Sequence, residues 1–271
     1  MSLALRSVLL SDLGLIRTNN EDSAHAGSRL LVIADGVGGA PAGEDASGIV
    51  IRELSALETA DLGADPTRTF LDHLMTANRE IFQATLDDPL KEGMGTTMTA
   101  VMISADLSAD GVDAAEVTVA HVGDSRAYLL RDGELRRLTK DDTYVQTLID
   151  RGVLSEDDAR HHPQKSLITQ SVQGMDFTTA CSKVAIQPAD RFLLCSDGLS
   201  DIVTDHSIGR TLLAHPEVQQ AAEQLVKLAL QAGAPDNVTV IVADVVTVQA
   251  KASGARRLPG VSQLASWLGF A

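Results

Sequence analysis

The hydrophobic pattern changes period several times along the chain, and each change predicts an element. Residues 3–13 alternate loosely and read as a first strand, which gives way to a polar turn over 14–22. Leu31, Val32 and Ile33 then form an unbroken apolar run, the mark of a buried strand. Asp35 stands where that strand should stop, and Gly36, Gly38 and Gly39 provide a tight turn before a helix beginning near Ala42. Over 43–60 and 66–86 the apolar positions recur every three or four residues: Ile49, Ile51, Leu54 and Leu57 in the first, Phe70, Leu71, Leu74, Ile81 and Phe82 in the second. This spacing predicts an antiparallel pair of amphipathic helices, broken at Gly63 and restarted at Pro66.

β-branched residues dominate 96–103 and 116–122, which bracket a turn at Asp110 and Gly111 and predict a hairpin. A further strand over 125–131 ends at the tight-turn pair Asp132 and Gly133. Residues 140–165 are polar and helical in places, with Tyr144, Val145, Leu148 and Ile149 on one face and a second helix start at Ser155, as in a mobile insertion over the sheets. Residues 191–195 read as another buried strand. A helix over 217–232 stops at Gly233, and residues 238–248 supply the last strand.

Composition narrows the class. A chain of 271 residues, 44% apolar and 22% charged, suits one globular catalytic domain with a sizeable core. Its net charge of -15 weighs against non-specific nucleic-acid binding. The 37 acids are either a solvated surface or a cluster that holds cations, and position must decide between the two. Only two cysteines occur, Cys181 and Cys195, and the first twelve residues lack an apolar leader core, so a cytoplasmic protein with unpaired thiols is expected. No apolar run is long enough for a spanning helix. After Arg256 and Arg257 the tail carries Leu264, Trp267, Leu268 and Phe270, suited to packing on the domain or docking on a partner or an anionic membrane.

Four acids sit beside strand signals: Asp35, Asp124, Asp197 and Asp236, with Asp201 shortly after Asp197. Singly, each reads as a turn residue that caps its own backbone. Together at one sheet edge they would repel one another unless cations lay among them. The chain offers no histidine or cysteine ligand cluster, since adjacent His161 and His162 point different ways in a polar loop, and oxygen ligands favour Mg²⁺ or Mn²⁺ over Zn²⁺. Arg17 lies four and five residues before Glu21 and Asp22, where its planar fork suits a phosphate next to such ions. The chemistry suggested is hydrolysis of a phosphate ester. Cys195 belongs to a buried strand pattern without a cysteine-phosphatase loop and reads as core.

Six ordered motifs, RTNNED (17–22), ADGVGG (34–39), GTT (95–97), GDSR (123–126), SDGL (196–199) and DN (236–237), resemble those of the metal-dependent type 2C Ser/Thr protein phosphatases, the PPM family, in its bacterial form. They span about residues 11–243. The resemblance implies an α+β fold: a central antiparallel β-sandwich flanked by helix pairs, four layers in all, over 1–248, with a variable flap at about 140–170 and a separate tail at 249–271. It implies two Mn²⁺ or Mg²⁺ ions, with Asp35 bridging both, Asp197 and Asp236 as direct ligands, the Gly36 carbonyl on one ion, and Glu21 and Asp22 holding bound waters. Asp124 with Asp197 would hold a third ion, and Asp201 is a second candidate for that place. Arg17 would grip the phosphate.

The implied activity is hydrolysis of phosphoserine and phosphothreonine by a water activated between the ions, in a monomer that opposes a bacterial Ser/Thr kinase and acts on its targets. The alternative is a catalytically dead relative that binds phosphoproteins. Two positions depart from the family pattern: Val37 stands where eukaryotic members often carry a histidine, and Asp141, Asp142 and Thr143 replace the Asp-His-Ser common in bacterial flaps.

Overall fold

Neighbouring residues of one strand bury on opposite faces, and this produces four layers. In β3 (Leu30–Val37), Leu31 and Ile33 enter a core shared by two sheets, while Leu30, Val32 and Ala34 pack beneath helices. In β11 (Val238–Val248), Ile241, Ala243 and Val245 face the shared core, and Val238, Val240 and Val242 face the helices on the other side. Strands covered on both faces have no polar face, which is why these segments read as unbroken apolar runs.

The computed structural model describes residues 2–37, 42–105 and 115–248. With elements numbered in chain order, sheet A joins β1 (Ser2–Asp12), β11, β10 (Arg191–Cys195), β7 (Arg126–Arg131) and β8 (Glu134–Arg137), in that spatial order. Sheet B joins β2 (Asp22–Ala26), β3, β5 (Met98–Ala105), β6 (Glu116–Val122) and β9 (Ala180–Ala185), and the short β4 (Gly95–Thr96) pairs with the end of β3. All these pairings are antiparallel. Helices α1 (Gly43–Ser55) and α2 (Pro66–Asp87) cover sheet B through Val50, Leu54, Phe70, Leu74 and Ile81. The short α5 (Asp197–Ser200), α6 (Asp205–Ala214) and α7 (Val218–Gln231) lie on sheet A, with Leu199, Ile208, Leu212 and Leu225 in its outer core. The chain therefore has the α+β sandwich expected of it.

Several details differ from the sequence reading. β3 continues two residues past Asp35, because Gly36 and Val37 pair with Thr96 and Gly95. Asp22 begins β2 instead of ending a turn, and the run 96–103 is split at Thr97 between β4 and β5. β2, β8, β9 and α6 carry no strong periodic signal and were not expected. Gly38, Gly39, the Asp110–Gly111 turn and the tail 249–271 lie outside the described residues.

The expected flap holds α3 (Tyr144–Asp150) and α4 (Glu156–Arg160), each capped by a hydroxyl, Thr143 and Ser155. Backbone bonds stitch it to the sandwich: Asp142 N–H donates to the Gly123 carbonyl at 2.6 Å, and Thr169 N–H to the Asp142 carbonyl at 2.7 Å. Among the described residues, no helix is long and apolar enough to cross a membrane.

The inter-sheet core fixes the relative position of the two sheets, and with it the end of the sandwich where their acids meet. Phe192 is fully buried there. Phe192→Ala is expected to cost about 3–5 kcal/mol, read as a lowered urea midpoint with an unchanged slope.

Candidate active site

Antiparallel topology brings distant parts of the sequence to one end of the sandwich. Asp22 at the start of β2 lies directly opposite Asp35 near the end of β3. Asp197 follows the end of β10, Asp236 precedes the start of β11, and Asp124 follows the end of β6. The charges of Asp22, Asp124, Asp197 and Asp236 all act on Asp35. The four acids flagged at strand ends are thus gathered, and Asp22 joins them.

The GTT and DN motifs prove to be the framework under these acids. Thr97 N–H donates to the Asp35 carbonyl at 2.8 Å, Thr96 Oγ1 donates to the same oxygen at 2.9 Å, and Asp35 N–H donates to Thr97 Oγ1 at 3.1 Å. The backbone of Asp35 is clamped on both sides. Asn237 is buried and holds the loop that carries Arg17 and Glu21: its Oδ1 accepts from Glu21 N–H at 2.9 Å, and its Nδ2 donates to the carbonyls of Leu13 and Asn19, both at 3.0 Å. Asp22 Oδ2 accepts from Thr239 Oγ1 at 2.6 Å and Ser196 Oγ at 2.9 Å. Two glycines are required by close packing. A Cβ on Gly198 would stand 1.9 Å from the Asn237 carbonyl, and one on Gly36 would stand 2.4 Å from the Gly43 carbonyl.

Burial and crowding raise the acids' affinity for protons. Burial pushes the Asp22 carboxyl up to about 6, with Thr239 and Ser196 pulling it back and Asp236 adding to the rise. Asp124 is pushed up to about 7 by burial and by the charges of Asp141 and Asp201, against the opposing Arg126. Asp35 and Asp197 lie well above the usual carboxylate range, again through burial first and neighbouring carboxylates second. Cys195 is a core residue whose thiol burial pushes up to about 12, so it offers no nucleophile at neutral pH.

Arg17 and Asp201 are each held by an opposite charge. Arg17 Nη2 donates to Asp236 Oδ2 at 2.7 Å, with its side chain 45% exposed and so open to solvent. Asp201 accepts from Lys165 Nζ at 2.8 Å and from Ser166 Oγ at 3.4 Å, which ties the flap to the acid cluster. Glu21 is buried and accepts from Asn19 Nδ2 at 3.0 Å. Asp141, a flap residue that sequence reasoning treated only as a departure, makes a paired contact with Arg126 at 2.6–3.1 Å. The spacing of Arg126 and Asp141 in sequence carries no signal of that pairing.

Among the described residues, no three His, Cys, Asp or Glu side chains stand close enough together as placed to hold a metal ion. The donor chemistry nevertheless fits a hard divalent cation. The gathered donors are all oxygens, Asp22 Oδ1 is buried with no hydrogen-bond partner, and the mutual repulsion of the carboxylates is of the kind a cation relieves. At Asp236 the Arg17 guanidinium supplies the counter-charge instead.

A comparison with protein-family models matches the Protein phosphatase 2C model over residues 17–231. The serine/threonine protein phosphatase PstP of Mycobacterium tuberculosis (strain H37Rv) is 46% identical over 247 residues, covering 91% of this chain. The match takes up 46% of that relative, so this chain spans about half its length. The serine/threonine phosphatase stp of Listeria monocytogenes serotype 4b is 32% identical over 245 residues, 86% of this chain and 93% of the relative. Among solved structures, the catalytic domain of PstP in complex with two manganese ions superposes with a TM-score of 0.82 at 44% identity, covering 90% of this chain and all of that one.

The raised acids set the pH dependence of the protein without metal. They bind protons more tightly folded than unfolded, so their contribution to stability is fully present below the unfolded value of about 4. That contribution is lost as pH rises through about 6 for Asp22 and about 7 for Asp124. In a chelator, thermal stability should therefore fall from pH 5 to pH 8, and saturating Mn²⁺ should flatten the fall; a midpoint that rises over this range in the chelator would contradict the charge assignment.

Proposed function

The chain belongs to the protein phosphatase 2C family, and from that premise we propose that it is a metal-dependent phosphatase that hydrolyses phosphoserine and phosphothreonine in proteins. One observation carries the reading: five buried or half-buried aspartates face one another at the end of the sandwich, beside an exposed arginine. When bound, two Mn²⁺ or Mg²⁺ ions supply water activation at neutral pH and neutralise phosphoryl charge. The two manganese ions held by the PstP catalytic domain support that choice.

The roles proposed are those the family resemblance implies for these positions. Asp35, central to the cluster and clamped by Thr96 and Thr97, would be shared between the ions. Asp197, Asp236 and the Gly36 carbonyl would help hold them, and Glu21 and Asp22 would hold solvent beside them. Asp124 with Asp197 would suit a third ion, and Asp201, whose charge acts on both, is a candidate there in exchange for Lys165. Arg17 exchanges Asp236 for the substrate phosphate, placing a forked donor on the equatorial oxygens as charge shifts during attack. No side-chain nucleophile is called on, in keeping with the inert Cys195. Val37 offers no proton to the leaving group.

The division into a catalytic domain over 1–248, a flap at about 140–170 and a tail at 249–271 belongs to the same reading. So do a cytoplasmic location, a monomeric state and a Ser/Thr kinase as the opposing partner. Two free cysteines among the described residues support a reducing compartment.

Purified protein should release phosphate from a phosphothreonine peptide only with Mn²⁺ or Mg²⁺. Asp35→Asn should lower the rate by orders of magnitude, whereas Arg17→Ala should raise KM for the peptide as well as lower kcat. Full activity in excess chelator would overturn the proposal.

A further inference from the structure

At one lateral seam of the sandwich, sheet A ends in β8 and sheet B ends in β9, and among the described residues neither strand has an outer neighbour. Between the two edges runs a groove of about 490 Å³, lined by Arg131, Arg136, Arg137 and Lys183 over Leu138 and Val184. No carboxylate lines it, in a chain whose net charge is -15. Arg131 is spent on Asp190 at 2.6 Å. Arg137 and Lys183 have only long contacts, 4.0 Å to Asp141 and 3.7 Å to Glu116, and Arg136 is exposed with no ion-pair partner among the described residues.

The backbone of β9 points the same way. Ile186 N–H donates to the Ala115 carbonyl at 2.8 Å, which makes Glu116 and Ala185 a non-hydrogen-bonded pair of the ladder. By alternation, the N–H and C=O groups of Cys181, Lys183 and Ala185 turn away from β6. Arg131 Nη2 donates to the Ala185 carbonyl at 2.8 Å, and among the described residues Cys181 and Lys183 keep theirs open. Leu138 and Val184 pack on the inter-sheet core, so Arg136 and Ser182, two residues away on the same strand faces, also face the seam.

We propose that the open edge of β9 accepts an extended acidic segment of a partner protein as an added strand, whose seam-facing carboxylates reach Arg136. Backbone pairing supplies affinity that does not depend on sequence, and Arg136 selects the sign of every second side chain. A short segment fits within the basic seam. A nucleic acid or a membrane would extend past it onto the acidic remainder of the surface and be repelled. This inference concerns binding alone and does not rest on the phosphatase reading.

The test uses the full chain and a fluorescein-labelled peptide of five Glu-Val repeats, followed by anisotropy. Saturable binding is expected, about tenfold or more weaker in Arg136→Glu/Lys183→Glu. Arg136→Gln, a milder change, should give an intermediate loss, with melting curves showing that each variant is folded. A Glu-Pro peptide of equal charge lacks half of the N–H donors and should bind far more weakly. The Glu-Val peptide should also slow alkylation of Cys181, which is exposed on the same edge, while Cys195 is buried and does not compete. Absence of saturable binding, equal binding of the Glu-Pro peptide, or unchanged affinity in the charge-reversed variant would overturn the proposal. So would tighter binding of a duplex oligonucleotide or of phosphatidylserine vesicles. Variants that associate with one another while binding no peptide would show that the cations only guard the edges against self-pairing, and would overturn it as well.

Discussion

Mutual repulsion among buried carboxylates is the constraint around which this molecule is arranged. Asp22, Asp35, Asp124, Asp197 and Asp236 come from five separate places in the chain, yet the register of two antiparallel sheets sends all of them to one end of a sandwich. Burial drives Asp22, Asp35, Asp124 and Asp197 to keep their protons, and neighbouring charges add to that. The cluster persists because its backbone is held independently of its charge: Thr96 and Thr97 clamp Asp35, and Asn237 ties down the loop of Arg17 and Glu21. The fold thus stores an electrostatic cost that a divalent cation relieves.

That arrangement also explains why the surrounding polar groups are so fully committed. Asp22 gives one oxygen to two hydroxyl donors and leaves the other buried without a partner. Arg17 neutralises Asp236, and Lys165 on the flap neutralises Asp201. Arg17 reaches the cluster from the loop after β1 and Lys165 from the flap, while Arg126 opposes Asp124 from the start of β7 in sheet A.

Much of this was legible in the sequence, for identifiable reasons. The apolar runs of β3, β10 and β11 are unbroken because helices cover one face and the opposite sheet the other, and acids placed against such runs stand out. The helices α1, α2 and α7 announce themselves by a one-sided apolar stripe. The strand β9, Ala-Cys-Ser-Lys-Val-Ala, does not, because it is an edge strand with most of its residues exposed. β8 is four residues long and rich in arginine, and α6 has only a modest apolar face. The part played by Asn237 was hidden for another reason: its partners lie more than two hundred residues away in sequence, and only the fold reveals them. The same holds for Arg126 and Asp141, whose pairing depends on how the flap returns to the sheet.

At the acid end, Asp22, Asp35, Asp124 and Asp197 hold protons that a divalent cation would displace. Calorimetric titration of the metal-free protein with Mn²⁺ at pH 6, repeated in buffers of different ionisation enthalpy, counts those protons directly. Net proton release on binding is expected in the wild type, with greatly weakened binding in Asp35→Asn. Binding without proton release, or equal affinity in the two proteins, would contradict it.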